Sequence, residues 1–577
     1  MMKPRLAYAA GLQRLADFTR DRGGNVAMIF GITLLPVTFL IGAAIDYSGA
    51  SDLRARLQRA TDATGLQLCQ MANNLSSADY LSAAKDKILP SYLGTQPFNI
   101  RSFDVTENPH RIKLVTSAVY NTAVVRVMGS SYNTIPVDAE AQCQNQQETF
   151  EIALVLDTPG SMARSSGSQS KMDALKVAAT NFVDFVYKTP KLMQSKISIV
   201  PFAAGVKVDP IAYRNATWID QNGNASYHWN IINDGVAAVR AVGVRSRLDA
   251  FTKLRGVVPS WDWAGCFESL PYPLNVQDGM PSPSMPDSYY VPMFAPDESG
   301  NGGQISHQDA SGNWVAAENS YIDDSDPPQP VGSPPGICDP TTDETQRTAR
   351  GCKYLQPKNP RTSNGSLATG PNFSCTSRAL TRLTADKALL RNEISQLQPD
   401  GNTDIHQGAT WGWQTLAPSG RSVFGDGVAY DKPFNHKIMI LMTDGMNTWS
   451  SFPSNPTSKS YYSAYGFYRN PDGTGPNNRL PAANANVSND TTARAAMDAL
   501  TLETCRNLQA AGTGKPNVVI YTIGFSVPND PIDQQGINML KTCAGDPQRA
   551  FVANDSQGII DVFQKIGNQI AGLKLTQ

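Results

Sequence analysis

The amino-acid sequence predicts an α/β protein with a doubly wound, mostly parallel sheet and long loop-rich insertions, preceded by a transmembrane helix and a small β-rich stalk region. Three observations lead to this prediction. A charge-free run lies near the N-terminus, a stretch of alternating residues follows it, and apolar strands then alternate with amphipathic helices. Because 577 residues are too many for one hydrophobic core, we expect more than one domain.

The first element is the run from Val26 to Ile45, which carries no charge and is about long enough to cross the ~30 Å core of a bilayer as a helix. Its polar flanks argue against a buried core helix, and no cleavage motif follows it as in a signal peptide. Basic residues are concentrated before the run and resume at some distance after it: Lys3, Arg5, Arg14, Arg20 and Arg22, then Arg54, Arg56 and Arg59. This bias predicts a cytoplasmic N-terminus at 1–24, a transmembrane helix at 25–46 and an exported remainder.

The second region, 47–148, is predicted to be a stalk helix followed by a small sheet. Positions at helical spacing continue the apolar helix outward: Leu53, Leu57, Ala60, Thr64 and Leu68. The segments "RIKLV", "AVVRVMG" and "TIPVDAEAQC" then predict an antiparallel sheet, and in the last of them apolar and polar residues alternate strictly. One face of this sheet is therefore expected to be wet.

The third region, 149–577, carries the predicted parallel sheet. Five segments are predicted to form strands: "IALVLD", "KISIVPF", "HKIMILMTDG", "NVVIYTIGF" and "RAFVAND". Helical patterns lie between them at 172–186, 495–511 and 537–541, and a final helix has one apolar stripe through Ile559, Phe563, Ile566, Ile570 and Leu573. Two insertions, at about 259–373 and 450–490, lack periodicity, and loops of this length are usually functional or disordered.

All 8 cysteines follow the apolar run, and none forms a C-x-x-C pair. Zinc-ribbon and thioredoxin-type sites therefore lack their sequence signature, and four disulfides on the exported side are the simplest expectation. Cys143 lies on the apolar side of its strand, where it could reach Cys69, and Cys505 and Cys543 are expected to crosslink the last helices. Four further cysteines indicate a crosslinked first insertion, with pairing left open: Cys266, Cys338, Cys352 and Cys375.

Three loops carry oxygen ligands at positions where a parallel sheet would bring them together. Asp157 and Ser161 follow the first strand, Thr403 precedes a helix, and Asp444 follows the strand "IMILM". Because ligands bind at the carboxyl ends of strands in open α/β sheets, these side chains predict a site for a hard cation, Mg²⁺ or Mn²⁺. Two simpler interpretations stay open: Asp157 and Ser161 could cap the following turn and helix, and Asp444 could end its strand in an ordinary turn.

Several other functions are disfavoured by the sequence. The chain has 49 basic and 50 acidic residues, so no basic field for nucleic acid exists. The 5 histidines are scattered, Ser161 lacks the G-x-S-x-G elbow of hydrolases, and no P-loop motif occurs. We therefore predict that the protein is not an enzyme and not a nucleic-acid-binding protein.

The loop set resembles the metal-ion-dependent adhesion site of von Willebrand factor A domains. That family uses an Asp-x-Ser-x-Ser loop, a threonine and an aspartate, which correspond here to Asp157, Ser161, Thr403 and Asp444, with Pro159 in place of the first serine. More narrowly, the chain is similar to TadG-like proteins of the bacterial tight-adherence (Tad/Flp) pilus system. The matching segments are "RGGNVAMIFGITLLPVTFLIGAAIDYS", "WAGCFE", "YTIGF" and "CAGDPQRAFVAND".

This resemblance implies a single-pass protein of the bacterial inner membrane with a periplasmic bulk. It would bind protein partners, other pilus assembly or secretion components, during Tad/Flp pilus assembly or surface attachment. A bound cation would be completed by a partner carboxylate, although Pro159 removes one ligand oxygen. The alternative is a surface-exposed matrix- or host-binding adhesin. A metal-dependent hydrolase ranks last, because neither His406 nor any other residue is an obvious general base.

Overall fold

The computed structural model describes residues 24–71, 75–107, 110–145, 148–232, 240, 243–300, 306–308, 314–323, 350–364, 367–455, 457–512 and 518–572. The chain forms two compact units, 1–147 and 148–577. Some residues named in the sequence analysis lie outside the described residues: the basic residues before the apolar run, and also Cys338 and Leu573.

The N-terminal unit is built on one long helix, α1 (Gly24–Gln70), which contains the predicted apolar run and continues beyond it. This helix is long and apolar enough to cross a membrane. Two short helices follow, α2 (Ser77–Ser82) and α3 (Leu89–Leu93), joined by a π-helical turn. Three strands then form an antiparallel sheet in the order β1-β2-β3: β1 (Phe98–Glu107), β2 (His110–Asn121) and β3 (Thr134–Asn145).

The sheet packs its apolar face on the outer part of α1. Leu53 and Leu57 of the helix are buried against Val137 and Ala139 of β3, whose polar neighbours face outward. Thr61 of α1 and Thr116 of β2 share a hydrogen bond of 2.7 Å. A disulfide joins Cys69, at the end of the helix, to Cys143.

One predicted strand is wrong. The segment "AVVRVMG" lies in the loop between β2 and β3 and contains a 3₁₀ turn, Val125–Met128. The remaining strand of the sheet is β1, which the sequence analysis missed. The physical reason lies in α1, where the Asp46 carboxylate accepts the N–H groups of Ala123, Val124 and Val125. These donors are therefore not available to a strand partner.

The C-terminal unit contains a six-stranded sheet in the order β6-β5-β4-β7-β8-β9. Its strands are β4 (Thr149–Asp157), β5 (Lys196–Phe202), β6 (Thr381–Thr384), β7 (Asn435–Thr443), β8 (Val518–Phe525) and β9 (Ala550–Ala553). Only β6 is antiparallel to its neighbour. The prediction of an α/β protein with a mostly parallel sheet is thus confirmed.

Helices pack on both faces of this sheet. One face holds α4 (Lys171–Lys188), α7 (Lys387–Ser395) and α11 (Ser556–Gly572). The other holds α8 (Ile405–Leu416), α9 (Asp490–Gln509) and α10 (Gln534–Ala544), and a disulfide between Cys505 and Cys543 joins α9 to α10. Two further helices, α5 (Pro210–Tyr213) and α6 (Arg247–Arg255), follow β5. Burial of both faces explains why β4, β5, β7 and β8 are apolar almost throughout.

The described parts of the two insertions are compact and pack on the second face. The Cys266–Cys375 disulfide closes most of the first insertion, and Cys352 is also disulfide-bonded. Their regular structure is limited to 3₁₀ turns and two short strand pairs, Ser306–Gln308 with Trp314–Ala316 and Ser363–Asn364 with Leu367–Ala368. Many of their aromatic side chains are buried, including Trp261, Trp263, Trp449 and Tyr465.

Candidate functional site

The candidate site lies where the strand order of the large sheet reverses. After β4 the chain forms β5 and β6 on one side, and it returns to form β7 to β8 to β9 on the other. The carboxyl ends of β4 and β7 are therefore adjacent, and the loops that leave them diverge. Such a reversal opens a crevice at the edge of an α/β sheet.

The structure brings the four predicted residues together in this crevice. Ser161 Oγ donates a hydrogen bond of 2.9 Å to Asp444 Oδ1, and Thr443 Oγ1 donates one of 2.5 Å to Asp157 Oδ2. Thr403 is also present, since a side-chain atom added at Gly445 would lie 3.8 Å from its Oγ1. The loops are joined through their backbones as well, with the Gly160 N–H donating to the Gly401 carbonyl at 2.9 Å.

The structure contradicts the first of the two simpler interpretations, that Asp157 and Ser161 are caps. The cap of α4 is Ser170, not Asp157 or Ser161, and the turn at Gly160–Ala163 has no side-chain cap. The Ser161 hydroxyl faces the crevice instead of a helix terminus. The capping interpretation is therefore wrong, and the two loops meet through side chains.

The carboxyl groups in the crevice are held away from water. Asp157 is fully buried, and burial together with the neighbouring Asp444 raises its pKa well above the ordinary value. Its Oδ1 has no hydrogen-bond partner among the described residues. Burial also raises the pKa of Asp444, against the opposing effect of a nearby lysine.

That lysine, Lys171, is the residue that the sequence analysis missed. Its ammonium group is fully buried and contacts Asp444 Oδ2 directly, and it lies 2.6 Å from Asp530 Oδ2. Arg164 pairs with the other oxygen of Asp530. Three carboxyl groups thus share two cationic side chains. A protonated Asp157, which its raised pKa favours, would leave the remaining charges balanced.

The sequence contained a signal for Lys171 and another for Asp530. Lys171 is the first residue of α4, and a cation in the first turn of a helix opposes the helix dipole, so it calls for an anionic partner. Asp530 follows β8, the strand next to β7, at the same edge of the sheet as Asp444. The rule that placed Asp444 in the site could have placed Asp530 there too.

The observed donors do not fit the expected divalent ion. Mg²⁺ requires about six oxygens in near-octahedral geometry, but Pro159 offers none and both oxygens of Asp444 are already engaged. The unpartnered Asp157 Oδ1 is one free ligand. Within the described residues, no group of three or more His, Cys, Asp or Glu side chains could hold a metal ion. A divalent ion at this point would have to displace the buried ammonium of Lys171.

Both insertions fix the third loop of the site. Asp404 caps α8 by accepting from Gln407 N–H, and its Oδ1 also accepts from the Tyr465 hydroxyl at 3.1 Å. The His406 ring bridges Tyr465 Oη at 2.7 Å and the Asn275 carbonyl at 2.9 Å. Burial raises the pKa of Asp404 to about 7 and lowers that of His406 to about 4. His406 is therefore neutral and enclosed, in a structural role.

A buried carboxylate joins the two insertions. Glu268, in the "WAGCFE" segment, accepts from Arg247 Nη1 at 2.7 Å and from the Tyr462 hydroxyl at 2.5 Å, and its other oxygen pairs with Arg479. Burial alone would raise the pKa of Glu268, but the two arginines outweigh it and hold that pKa below its ordinary value. Since Tyr462 and Arg479 belong to the second insertion, Glu268 fixes the two insertions to each other.

A cavity of about 710 Å³ opens beside the third loop. Its wall includes Asp400 and Asn402 from that loop, Trp261 from the first insertion and Tyr461 from the second. The crevice at the end of the sheet is thus extended by a mixed polar and aromatic surface.

The comparisons with known proteins concern both units. Residues 24–66 match the model of a family described as putative Flp pilus-assembly TadE/G-like proteins. This match covers most of α1 and none of the large sheet. No curated protein matches the sequence.

Three solved structures of bacterial pilus proteins have partial similarity to this chain. The pilus adhesin SpaC from Lactobacillus rhamnosus GG is 11% identical over 83% of this chain and 35% of its own, with a TM-score of 0.30. The PilB minor pilin from Streptococcus sanguinis is 10% identical over 82% of this chain and 78% of its own, at 0.31. The vWF domain of the type V pili tip protein Mfa5 from Porphyromonas gingivalis is 11% identical over 75% of this chain and 99% of its own, with a TM-score of 0.31. The chain spans about a third of the length of SpaC.

Proposed function

We propose that this chain is a membrane-anchored protein of the Tad/Flp pilus system, and that its C-terminal unit binds a protein partner during pilus assembly or surface attachment. The observation that carries the proposal is the match of residues 24–66 to the pilus-assembly family. Those residues include most of the helix that, among the described residues, has the length and composition of a membrane span, and most apolar side chains of α1 before Asp46 are exposed.

The excess of basic residues before the apolar run supports the proposed membrane topology. With 1–24 in the cytoplasm and α1 in the bacterial inner membrane, both the small sheet and the C-terminal unit are periplasmic. The disulfides Cys69–Cys143, Cys266–Cys375 and Cys505–Cys543 fit an oxidising compartment. For the C-terminal unit we propose the doubly wound arrangement of a von Willebrand factor A domain, which the reversal of strand order between β4 and β7 supports.

The partner would bind at the carboxyl end of the large sheet. Here the loops are fixed by buried hydrogen bonds, so little ordering is required when a ligand arrives. Met446 is exposed at the rim, and the adjoining cavity offers tyrosine, tryptophan, asparagine and aspartate side chains. This combination of an exposed apolar side chain with polar and aromatic neighbours is typical of protein-binding surfaces.

We further propose that Lys171 takes the role that the resemblance assigns to the cation. Its ammonium supplies positive charge between Asp444 and Asp530, so the loops stay together without a divalent ion. Binding of Mg²⁺ or Mn²⁺ to Asp157, Ser161, Thr403 and Asp444, as expected from the sequence, is the alternative to this role of Lys171, and calorimetric titration distinguishes the two. A hydrolytic role is not proposed, because the nearby His406 is enclosed and its pKa lies at about 4.

Gene deletion and complementation test this function. In the bacterium that encodes the chain, we expect deletion to reduce surface pili or surface attachment, and the full chain supplied in trans to restore them. Electron microscopy of negatively stained cells counts the filaments, and a surface-attachment assay is run beside it. Normal filaments and normal attachment in the deletion strain would contradict the proposal.

A further inference from the structure

We propose that the loop between β2 and β3, residues 122–133, inserts its tip into the exported leaflet of the lipid bilayer beside α1. This inference rests on the proposed membrane span of α1 and goes beyond the proposed function. It concerns the N-terminal unit alone. From here these residues are called the 122–133 loop.

The loop is attached to the helix at a defined height. Asp46 accepts three backbone N–H groups of the loop at 2.7 to 2.9 Å, from Ala123, Val124 and Val125. One turn earlier on the same helix face, Gly42 receives the Val124 side chain. A Cβ at Gly42 would lie 2.2 Å from Val124 Cγ1, so a glycine is required for this contact.

A second glycine secures the base of the loop. A Cβ at Gly49 would lie 2.2 Å from the Tyr120 hydroxyl at the end of β2. Gly42, Asp46 and Gly49 are spaced by four and three residues and therefore share one helix face. On this face of α1, the two glycines leave room for the side chains of Val124 and Tyr120, and the Asp46 carboxylate lies between the glycines.

The height of this attachment corresponds to the membrane boundary. Twenty residues from Val26 to Ile45 extend about 30 Å as a helix, which equals the thickness of a hydrocarbon core. Asp46 follows the last of them, and Gly42 lies about 5 Å before the end of the run. The contact between Val124 and Gly42 therefore lies at hydrocarbon depth, and the loop residues that follow Val124 start from that depth.

The loop also has the composition of a membrane-contacting segment. Its exposed side chains include Val127, Met128 and Tyr132, which are 77%, 58% and 52% exposed, and Arg126 is exposed as well. Tyrosine is enriched at the interface of membranes, and arginine can extend its charged end to the headgroups. Several of the backbone groups are satisfied internally, since Thr122 N–H donates to the Asn133 carbonyl and Asp46 binds three more donors.

The lipid bilayer is the occupant that these observations favour over a protein. The loop adjoins the exposed apolar surface of α1, which lipid already covers in the proposed topology, so the two apolar surfaces are continuous. A second copy of the chain or a partner protein would be the other occupants. The experiment below separates them from lipid.

Lipid quenching of a fluorescent label tests the inference in the full chain. The variants Val127→Cys, Leu35→Cys and Asp104→Cys are each labelled with a nitrobenzoxadiazole maleimide and reconstituted into vesicles of phosphatidylcholine and phosphatidylglycerol. Lipids carrying nitroxide groups on their acyl chains are the quencher. Leu35 lies in the middle of the span. Asp104 pairs with Lys113, about 26 Å along β2 from Asn121, and reports on water.

We expect the label at 127 to be blue-shifted and to lose fluorescence like the label at 35, while the label at 104 is unaffected. Quenching at 35 with water-like emission at 127 would overturn the inference and leave the span intact. A blue-shifted but unquenched label at 127 would also overturn it, because a protein would then cover the loop. An unquenched label at 35 would overturn the span and the insertion together.

A glycine substitution gives a matched control. Gly42→Leu should displace Val124 and reduce quenching at 127 without changing quenching at 35. Gly31→Leu places the same side chain on the same helix, where no heavy atom lies within 4 Å of the added Cβ, and should leave both unchanged. Equal effects of the two substitutions would contradict the attachment at Gly42.

Discussion

Lys171 shows how one side chain changes the chemistry of a site whose loops are otherwise typical of cation binding. The oxygen ligands alone predict a metal ion, because carboxylate and hydroxyl groups at strand ends are what Mg²⁺ binds. The structure adds an ammonium group that enters the same space from the start of α4. The sequence spacing could not reveal this contact, because Lys171 and Asp444 are 273 residues apart.

Removing the lysine charge should destabilise the C-terminal unit strongly. Lys171→Met leaves the buried carboxylate of Asp444 without its cation and Asp530 with Arg164 alone. Breaking a buried ion pair typically costs about 3–5 kcal/mol of unfolding free energy. The control is Lys188→Met, at the exposed end of the same helix, which should change stability by less than about 0.5 kcal/mol. Urea denaturation of both variants measures the difference. Equal stabilities would show that the Lys171 ion pairs contribute little.

Calorimetric titration of Mg²⁺ and of Mn²⁺ into the full chain in detergent tests the metal prediction. We expect no saturable heat for the natural sequence, because Lys171 occupies Asp444 and Pro159 supplies no oxygen. Pro159→Ser and Asp444→Ala are run in parallel. One-site binding to the natural sequence that Asp444→Ala abolishes would instead establish the metal site and refute the proposed role of Lys171.

Asp404 should make stability depend on pH. Burial raises its pKa to about 7, so between about pH 4 and 7 the folded chain holds a proton that the unfolded chain has released. Stability from this group is therefore present at low pH and is lost as pH rises through 7. His406 acts in the opposite direction between about pH 4 and 6.5, because its pKa is lowered to about 4.

The variant Asp404→Asn isolates the first effect. Relative to the natural sequence, it should gain about 2–3 kcal/mol of unfolding free energy between pH 5 and 7, at about 1.4 kcal/mol per pH unit. Asparagine can still cap α8. Asn402→Ser changes the same loop without a titrating group, and its difference from the natural sequence should not vary with pH. Chemical denaturation across this pH range measures the unfolding free energies. A difference between Asp404→Asn and the natural sequence that does not vary with pH would contradict the buried proton.

At the scale of elements, five strands of the large sheet and most of its helices were predictable because their patterns are strong. The sequence analysis missed β6, an edge strand of four residues, and α7. Strands such as β4 and β7 are buried on both faces and read as continuous apolar runs, while α4 and α11 show one apolar stripe. The segment 123–129 was wrongly predicted as a strand because its valines suit a strand locally. A long-range contact with Asp46 overrides that preference, and no local pattern reports it.

The insertions could be located in the sequence but not described. Their order comes from contacts between distant polar side chains, and Glu268 is the clearest case. Glu268→Gln should cost about 3–5 kcal/mol, since Arg247 and Arg479 would stay buried without a carboxylate. Glu393→Gln breaks one partly exposed pair with Arg378 and should cost at most about 1 kcal/mol. Thermal unfolding compares the variants, and similar losses would show that Glu268 does not join the insertions.

At the scale of the whole molecule, the two units differ in the element around which each is organised. The N-terminal unit is organised around an apolar helix, and the C-terminal unit around a sheet whose strand ends carry charged and polar loops. The sequence predicted which loops would meet at that edge, because strand ends are set by topology. It did not predict which charges would neutralise one another there, because that depends on side-chain packing.

The central claim is that the carboxyl end of the large sheet binds a protein partner, and a pair of substitutions tests it most directly. Met446 lies at that end and is 44% exposed, and Met193, 57% exposed, precedes β5 at the opposite end. Each is changed to glutamate in the complemented deletion strain, with protein levels checked by immunoblot, and surface filaments and attachment are then measured. We predict that Met446→Glu loses function while Met193→Glu retains it. Full function in both variants at equal protein levels would contradict the claim.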